Sequence, residues 1–74
     1  MSWRSALAQE IRSNYVLNQT FSLTDLYRRS EGPLQKQFPR NSRVQATMRN
    51  VLQQLRNDGM LAFVDDNGTY QRLR

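Results

Sequence analysis

Apolar residues step by four along the start of the chain, at Trp3, Leu7, Ile11 and Tyr15. That spacing puts them on one face of a helix, so the pattern predicts a first helix from Ser2 to about Leu17, with Asn14 and Asn18 at its fraying end. A single short extended segment is expected around Phe21. Ser22 and Asp25 then have the spacing of a capping box, with Asp in place of the usual Glu. A second helix is therefore expected from Leu23, with Leu26 and Tyr27 turned inward. Glu31, Gly32 and Pro33 predict a break in it, and Leu34 to Phe38 a separate short turn. The clearest pattern lies between Phe38 and Gly59. Asn41 or Ser42 is placed to cap a third helix over residues 42–57, and Gly59 stands where a left-handed residue ends one. Beyond it, "MLAFV" reads as a strand, "DDNG" as a turn and "TYQRLR" as the returning strand.

The resulting order is helix, short strand, helix, helix, strand, turn, strand. It predicts a single domain over residues 1–74 that is mainly α with a small β-hairpin. The architecture is a winged helix-turn-helix, with three helices and a two- or three-stranded antiparallel wing sheet. A purely helical bundle fits less well, because the tail alternates and carries Asn67-Gly68, a strong hairpin signal.

The third helix sorts into two faces when advanced by roughly 100° per residue. Val44, Met48, Val51, Leu52 and Leu55 share one arc and form its core side. The opposite arc collects Ser42, Arg43, Ala46, Arg49, Asn50, Gln53 and Asn57, flanked by Thr47 and Gln54 on one side and Gln45 and Arg56 on the other. An ordinary solvated helix would carry Glu and Lys at four-residue spacing. Here the face holds Arg, Asn, Gln, Ser and Ala instead. Those side chains pair with guanine or adenine edges or touch a thymine methyl group. From Phe38 to Gly59 there are four arginines and no carboxylate before Asp58.

Charge extends this picture to the whole chain. Formal net charge is +5, and ten of the eleven basic residues are arginine, whose planar fork suits phosphate and guanine. Nucleic acid is the partner that such a balance suggests. Arg40 and Arg43 bracket the start of the third helix, where free N–H groups at Asn41 to Gln45 suit a phosphate oxygen. Arg40 is expected on the DNA backbone, and Arg43, Ala46, Arg49 and Asn50 nearest the base edges. Asn41, Ser42, Gln45 and Gln53 complete the helix surface. Arg56 complements the helix end or contacts DNA. Arg28 and Arg29, beside Lys36, read either as a backbone clamp or as a solvated cap. Asp65 and Asp66 make the wing tip acidic, so wing contacts are expected from Asn67, Thr69 or Arg72.

The composition narrows the chemistry. The chain has no cysteine and no histidine, which removes disulfides, thiolate metal sites, the commonest metal ligand and the commonest general base. No cofactor and no metal are expected. No stretch is long and apolar enough to cross a bilayer, and the start lacks a signal-peptide pattern. The expectation is a cytoplasmic, non-catalytic module, monomeric in isolation and without a membrane partner.

The stretch "FSLTDLYRRSEGPLQKQFPRNSRVQATMRNVLQQLRNDGMLAFVDDNGTYQR" resembles the C-terminal winged-helix domain of Dam-replacing, DpnI-type restriction endonucleases. The resemblance rests on Phe21, Leu23, Asp25 and Tyr27, then Pro39 and Asn41. It continues through Val44, Arg49, Leu52, Gln53, Leu55, Arg56 and Gly59 to Phe63, Gly68 and Tyr70. Met48 replaces the usual isoleucine, Val51 a common glutamine, and the wing tip is unusually acidic. The resemblance implies a double-stranded DNA partner and a nuclease domain in the same parent chain. It also implies help in reading a short site, in some members one with methylated adenine. The 74 residues hold no Pro-Asp followed by Glu-x-Lys, the pattern of such a nuclease, and Lys36 lies between two glutamines.

Two other readings compete. A free-standing winged-helix transcriptional regulator would need a dimer surface, for which Trp3 and Tyr15 are the candidates. A winged-helix protein-interaction module would be expected to lack the acid-free face of the third helix.

Overall fold

The computed structural model describes residues 2–65 and 67–74. Asp66, half of the expected acidic tip, lies outside them. Helix α1 spans Trp3–Asn14, and the Ser2 hydroxyl caps it by accepting from the Ser5 N–H at 3.1 Å. It ends short of the expected Leu17, because Tyr15 turns to extended backbone and buries its ring. The loop that follows turns through Asn18, whose φ is 69°. Strand β1 (Thr20–Ser22) is the extended segment expected around Phe21.

Helix α2 spans Leu23–Gln37. Ser22 caps it by accepting from the Asp25 N–H at 3.0 Å. Asp25 accepts instead from the Tyr15 hydroxyl and from Arg29 Nε, each at 2.8 Å. Among the described residues only the serine half of the capping box is formed.

The break expected at Glu31, Gly32 and Pro33 is absent, and α2 runs unbroken through Pro33. Leu34 to Phe38 is therefore no separate turn; its first four residues are the last turn of α2. Proline in a helix interior costs about 3 kcal/mol through its missing N–H and its clash with the preceding turn. Gly32 and Pro33 both lie on the exposed side, while Leu26, Ser30 and Leu34 at four-residue spacing are fully buried. Burying a leucine contributes about 1.5–3 kcal/mol, so the packed face outweighs the local penalty.

Helix α3 spans Val44–Asn57, two residues shorter at its start than the expected 42–57. Its buried residues are Val44, Met48, Val51, Leu52 and Leu55, the arc read from the sequence. Gly59 follows with φ 86°. Its N–H donates to the Arg56 carbonyl, and the Met60 N–H to the Leu55 carbonyl, each at 3.0 Å. This pair of bonds closes the helix end in a Schellman motif, with Leu55 and Met60 both buried.

Strands β2 (Leu61–Phe63) and β3 (Thr69–Arg72) complete a three-stranded antiparallel sheet of order β1-β3-β2. Phe21, Tyr70 and Phe63 align across it. With Tyr15 they form a stacked row, at centroid spacings of 4.3, 5.9 and 5.0 Å. Three helices packed on this sheet make a winged helix-turn-helix, mainly helical, as the hydrophobic pattern predicts.

Candidate nucleic-acid interface

Burial of its apolar arc fixes α3 and leaves the other arc in solvent. Ala46, Arg49, Asn50 and Gln53 are all exposed on it. Arg40, Ser42, Arg43 and Gln45 are exposed at its start, and Asn41 is half-buried. Among the described residues, Arg40, Arg43 and Arg49 form no ion pair. The ion pairs found among the described residues are Arg4–Asp58 and Arg29–Asp25, which involve none of these three arginines.

The start of α3 differs in detail from a simple cap by Asn41 or Ser42. Arg43 occupies the cap position and makes no side-chain cap bond. Asn41 does a related job two residues upstream. Its Oδ1 accepts from the Arg43 N–H at 2.7 Å, and its Nδ2 donates to the Thr47 hydroxyl at 2.9 Å. The side chain of Asn41 therefore shapes the turn. Side-chain partners for the Val44, Gln45 and Ala46 N–H groups are absent among the described residues, so these donors stay open to an anion between Arg40 and Arg43.

Helix α2 grips this region with a polar stripe at four-residue spacing. The Tyr27 hydroxyl donates to the Gln45 carbonyl at 3.4 Å. Glu31 accepts from Gln45 Nε2 at 2.7 Å. Gln35 Nε2 donates to the carbonyls of Phe38 at 3.2 Å and Asn41 at 2.9 Å. Burial raises the Tyr27 hydroxyl above the ordinary tyrosine value, and the nearby Arg49 guanidinium offsets part of that rise. The sequence reading missed Glu31 and Gln35, since it placed a break in the middle of the stripe. The 27–31–35 spacing was the signal that would have found them.

Other candidate residues lie elsewhere. Arg29 is held by Asp25 and sits 5.9 Å from the Tyr15 ring centroid, so it is not a free backbone clamp. Arg28 and Lys36 are exposed. Arg56 lies over the Phe63 ring at 5.2 Å, linking the end of α3 to the sheet. Thr69 is half-buried beside the hairpin turn, where Asp65 Oδ1 accepts from the Asn67 N–H at 2.9 Å and the Thr69 N–H at 3.4 Å. Arg72 points the other way, donating to the Tyr15 carbonyl at 2.8 Å and the Arg74 carbonyl at 3.2 Å. The structure thus gathers Arg40 to Gln53 at one surface, and places Arg72 at the opposite end of β3 from the turn. Trp3 stacks on Phe38 with centroids 4.5 Å apart, and Tyr15 is buried, so both dimer-surface candidates are engaged within the chain.

Among the described residues, no group of three or more acidic side chains is gathered to hold a metal ion, and no helix is long and apolar enough to cross a membrane. None of the curated proteins compared matches the chain significantly. The family model of the Dam-replacing HTH domain matches residues 5–72, nearly the whole chain and more than the stretch from Phe21 that carries the resemblance. With its three helices, its antiparallel wing sheet and an exposed basic face on the third helix, the chain belongs to the Dam-replacing HTH domain family, helix-turn-helix modules of the kind that bind DNA.

Proposed function

We propose that this domain reads double-stranded DNA for a restriction endonuclease, with α3 in the major groove and catalysis left to a nuclease domain of the same parent chain. The observation that carries this reading is the exposed face of α3. Arg49, Asn50, Gln53 and Ala46 lie together there, without an acidic partner among the described residues, on a helix fixed by five buried side chains. In this reading Arg40 and the open N–H groups at Val44 to Ala46 hold phosphate. Arg43, Arg49 and Asn50 address base edges. The domain has no catalytic role of its own and works as a monomer in the cytoplasm. The regulator reading loses support, since Trp3 and Tyr15 are turned to partners inside the fold.

The experiment is a titration of the isolated domain with duplexes carrying unmethylated or N6-methylated adenine, with single strands as control, over a range of salt. Duplex affinity is expected to fall steeply with salt, with a log–log slope of roughly 0.9 per neutralised phosphate. A difference between the two duplex forms would establish methylation dependence. A salt-independent titration, or equal affinity for single strands, would remove the duplex-reading function.

A further inference from the structure

Gln45 is held at two points by one face of α2: its carbonyl by the Tyr27 hydroxyl at 3.4 Å, and its side chain by Glu31 at 2.7 Å. The second contact fixes a direction as well as a place. A carboxylate only accepts hydrogen bonds, so the end of the Gln45 amide that meets it is the nitrogen. Oε1 is left without a partner among the described residues, and one N–H of the amide remains to donate. Gln45 is exposed at the second position of α3, one residue before Ala46. The early residues of a groove-lying recognition helix are those nearest base edges.

Resting on the DNA-reading function above, we infer that Glu31 is a specificity-determining positioning residue. An amide that gives Glu31 the N–H pointing away from Oε1 keeps its other N–H and Oε1 side by side, and that is the arrangement inferred for the groove edge. That edge is a donor beside an acceptor. Adenine presents the complementary pair in the major groove, N7 as acceptor and N6–H as donor, and a glutamine amide meets both together. Without Glu31 the amide turns about its last torsion at little cost and presents either order. The preference for adenine would then fade while the glutamine remained in place. Glu31 also carries a negative charge beside a surface meant for phosphates. Its removal is expected to hold or raise affinity for random duplex, whereas a folding defect would lower it.

The test is selection from a pool of randomised duplexes by the unaltered domain, by Glu31→Ala, by Gln45→Ala and by the double variant. Sequencing of the bound pool and thermal unfolding of each protein accompany it. Alanine is the best helix former, so Glu31→Ala keeps α2. The unaltered domain is expected to hold one position as adenine by about tenfold or more, the discrimination of a bidentate contact. That position, and no other, should relax in each single variant. The double variant should relax no further, and random-duplex affinity of Glu31→Ala should be equal or higher. An adenine preference that survives in Glu31→Ala overturns the inference and leaves the DNA-reading function standing. So does relaxation at a position different from that of Gln45→Ala. Failure of the unaltered domain to retain any duplex overturns both.

Discussion

Asn41 donates from its amide to the hydroxyl of Thr47 at 2.9 Å, across the turn that precedes α3. The same side chain accepts from the Arg43 N–H at 2.7 Å, and the Thr47 hydroxyl donates on to the Arg43 carbonyl at 3.1 Å. Capping is thus spread over three residues. Asn41→Ala is expected to lower stability by about 1 kcal/mol, the usual cost of losing such a cap. Asn41→Asp keeps the acceptor for Arg43 and loses the donor to Thr47, so it should fall between. Urea unfolding of the three proteins measures the order. An Asn41→Ala protein as stable as the original would mean that the turn is held by Gln35 alone.

The arginines around α3 should separate by role. Arg40→Ala is expected to weaken binding to every duplex alike and to lower the salt slope by about one. Arg43→Ala and Arg49→Ala should each cost roughly 1–3 kcal/mol on a preferred site and less on random DNA. Parallel titrations of both duplex types read the difference. Equal proportional losses for all three would make α3 a phosphate clamp without base reading.

Ala46 is exposed near the middle of the outward arc, one turn from Asn50 and beside Arg49. Ala46→Glu puts a carboxylate there without touching the buried side. Glutamate is a good helix former, so stability should change by less than about 0.5 kcal/mol. An unchanged melting curve together with near-total loss of duplex binding is expected from the same preparation. Full affinity in a folded Ala46→Glu protein would mean that DNA lies on another surface.

Asp25 supplies a pH dependence. The hydrogen bond from the Tyr15 hydroxyl, followed by that from Arg29, holds its carboxyl below the ordinary aspartate range, against some desolvation. A depressed folded value favours the ionised, folded form. The stabilisation is therefore complete above the ordinary aspartate value and is lost as pH falls through the lowered one. Asp25→Asn should be less stable than the original at neutral pH, and the gap should close in acid. Urea midpoints from about pH 7 to about pH 2 follow it. A gap that is constant across that range would show that the carboxylate's charge contributes nothing.

Most of the frame was legible because its signals are local. The arc of Val44, Met48, Val51, Leu52 and Leu55, the serine before α2 and the glycine after α3 each act within a few residues of themselves, and all stand as read. The continuity of α2 was not legible. Pro33 imposes its penalty on its own turn, whereas the compensation comes from Leu34 and Ser30 packing against other elements. That one error hid the grip of Glu31 and Gln35 on the start of α3, since their alignment with Tyr27 requires a single helix. Arg72 was illegible for a similar reason. Besides the nearby Arg74 carbonyl, its guanidinium is held by the carbonyl of Tyr15, distant in sequence.

The strand that comes last in the sequence lies in the middle of the sheet. Among the described residues β1 pairs with β3 alone, and pairing Thr20 with Gln71 closes most of the chain into one loop. Closing so long a loop is entropically costly and gives nothing back until the contact forms, whereas the helices need only near neighbours. During synthesis the helices emerge with the Phe21 and Tyr15 rings still lacking the Tyr70 cover. The sheet can lock only when residues 69–72 have cleared the ribosome. Pairing of β1 therefore waits for residues 69–72, and until then the Phe21 ring has no Tyr70 ring beside it.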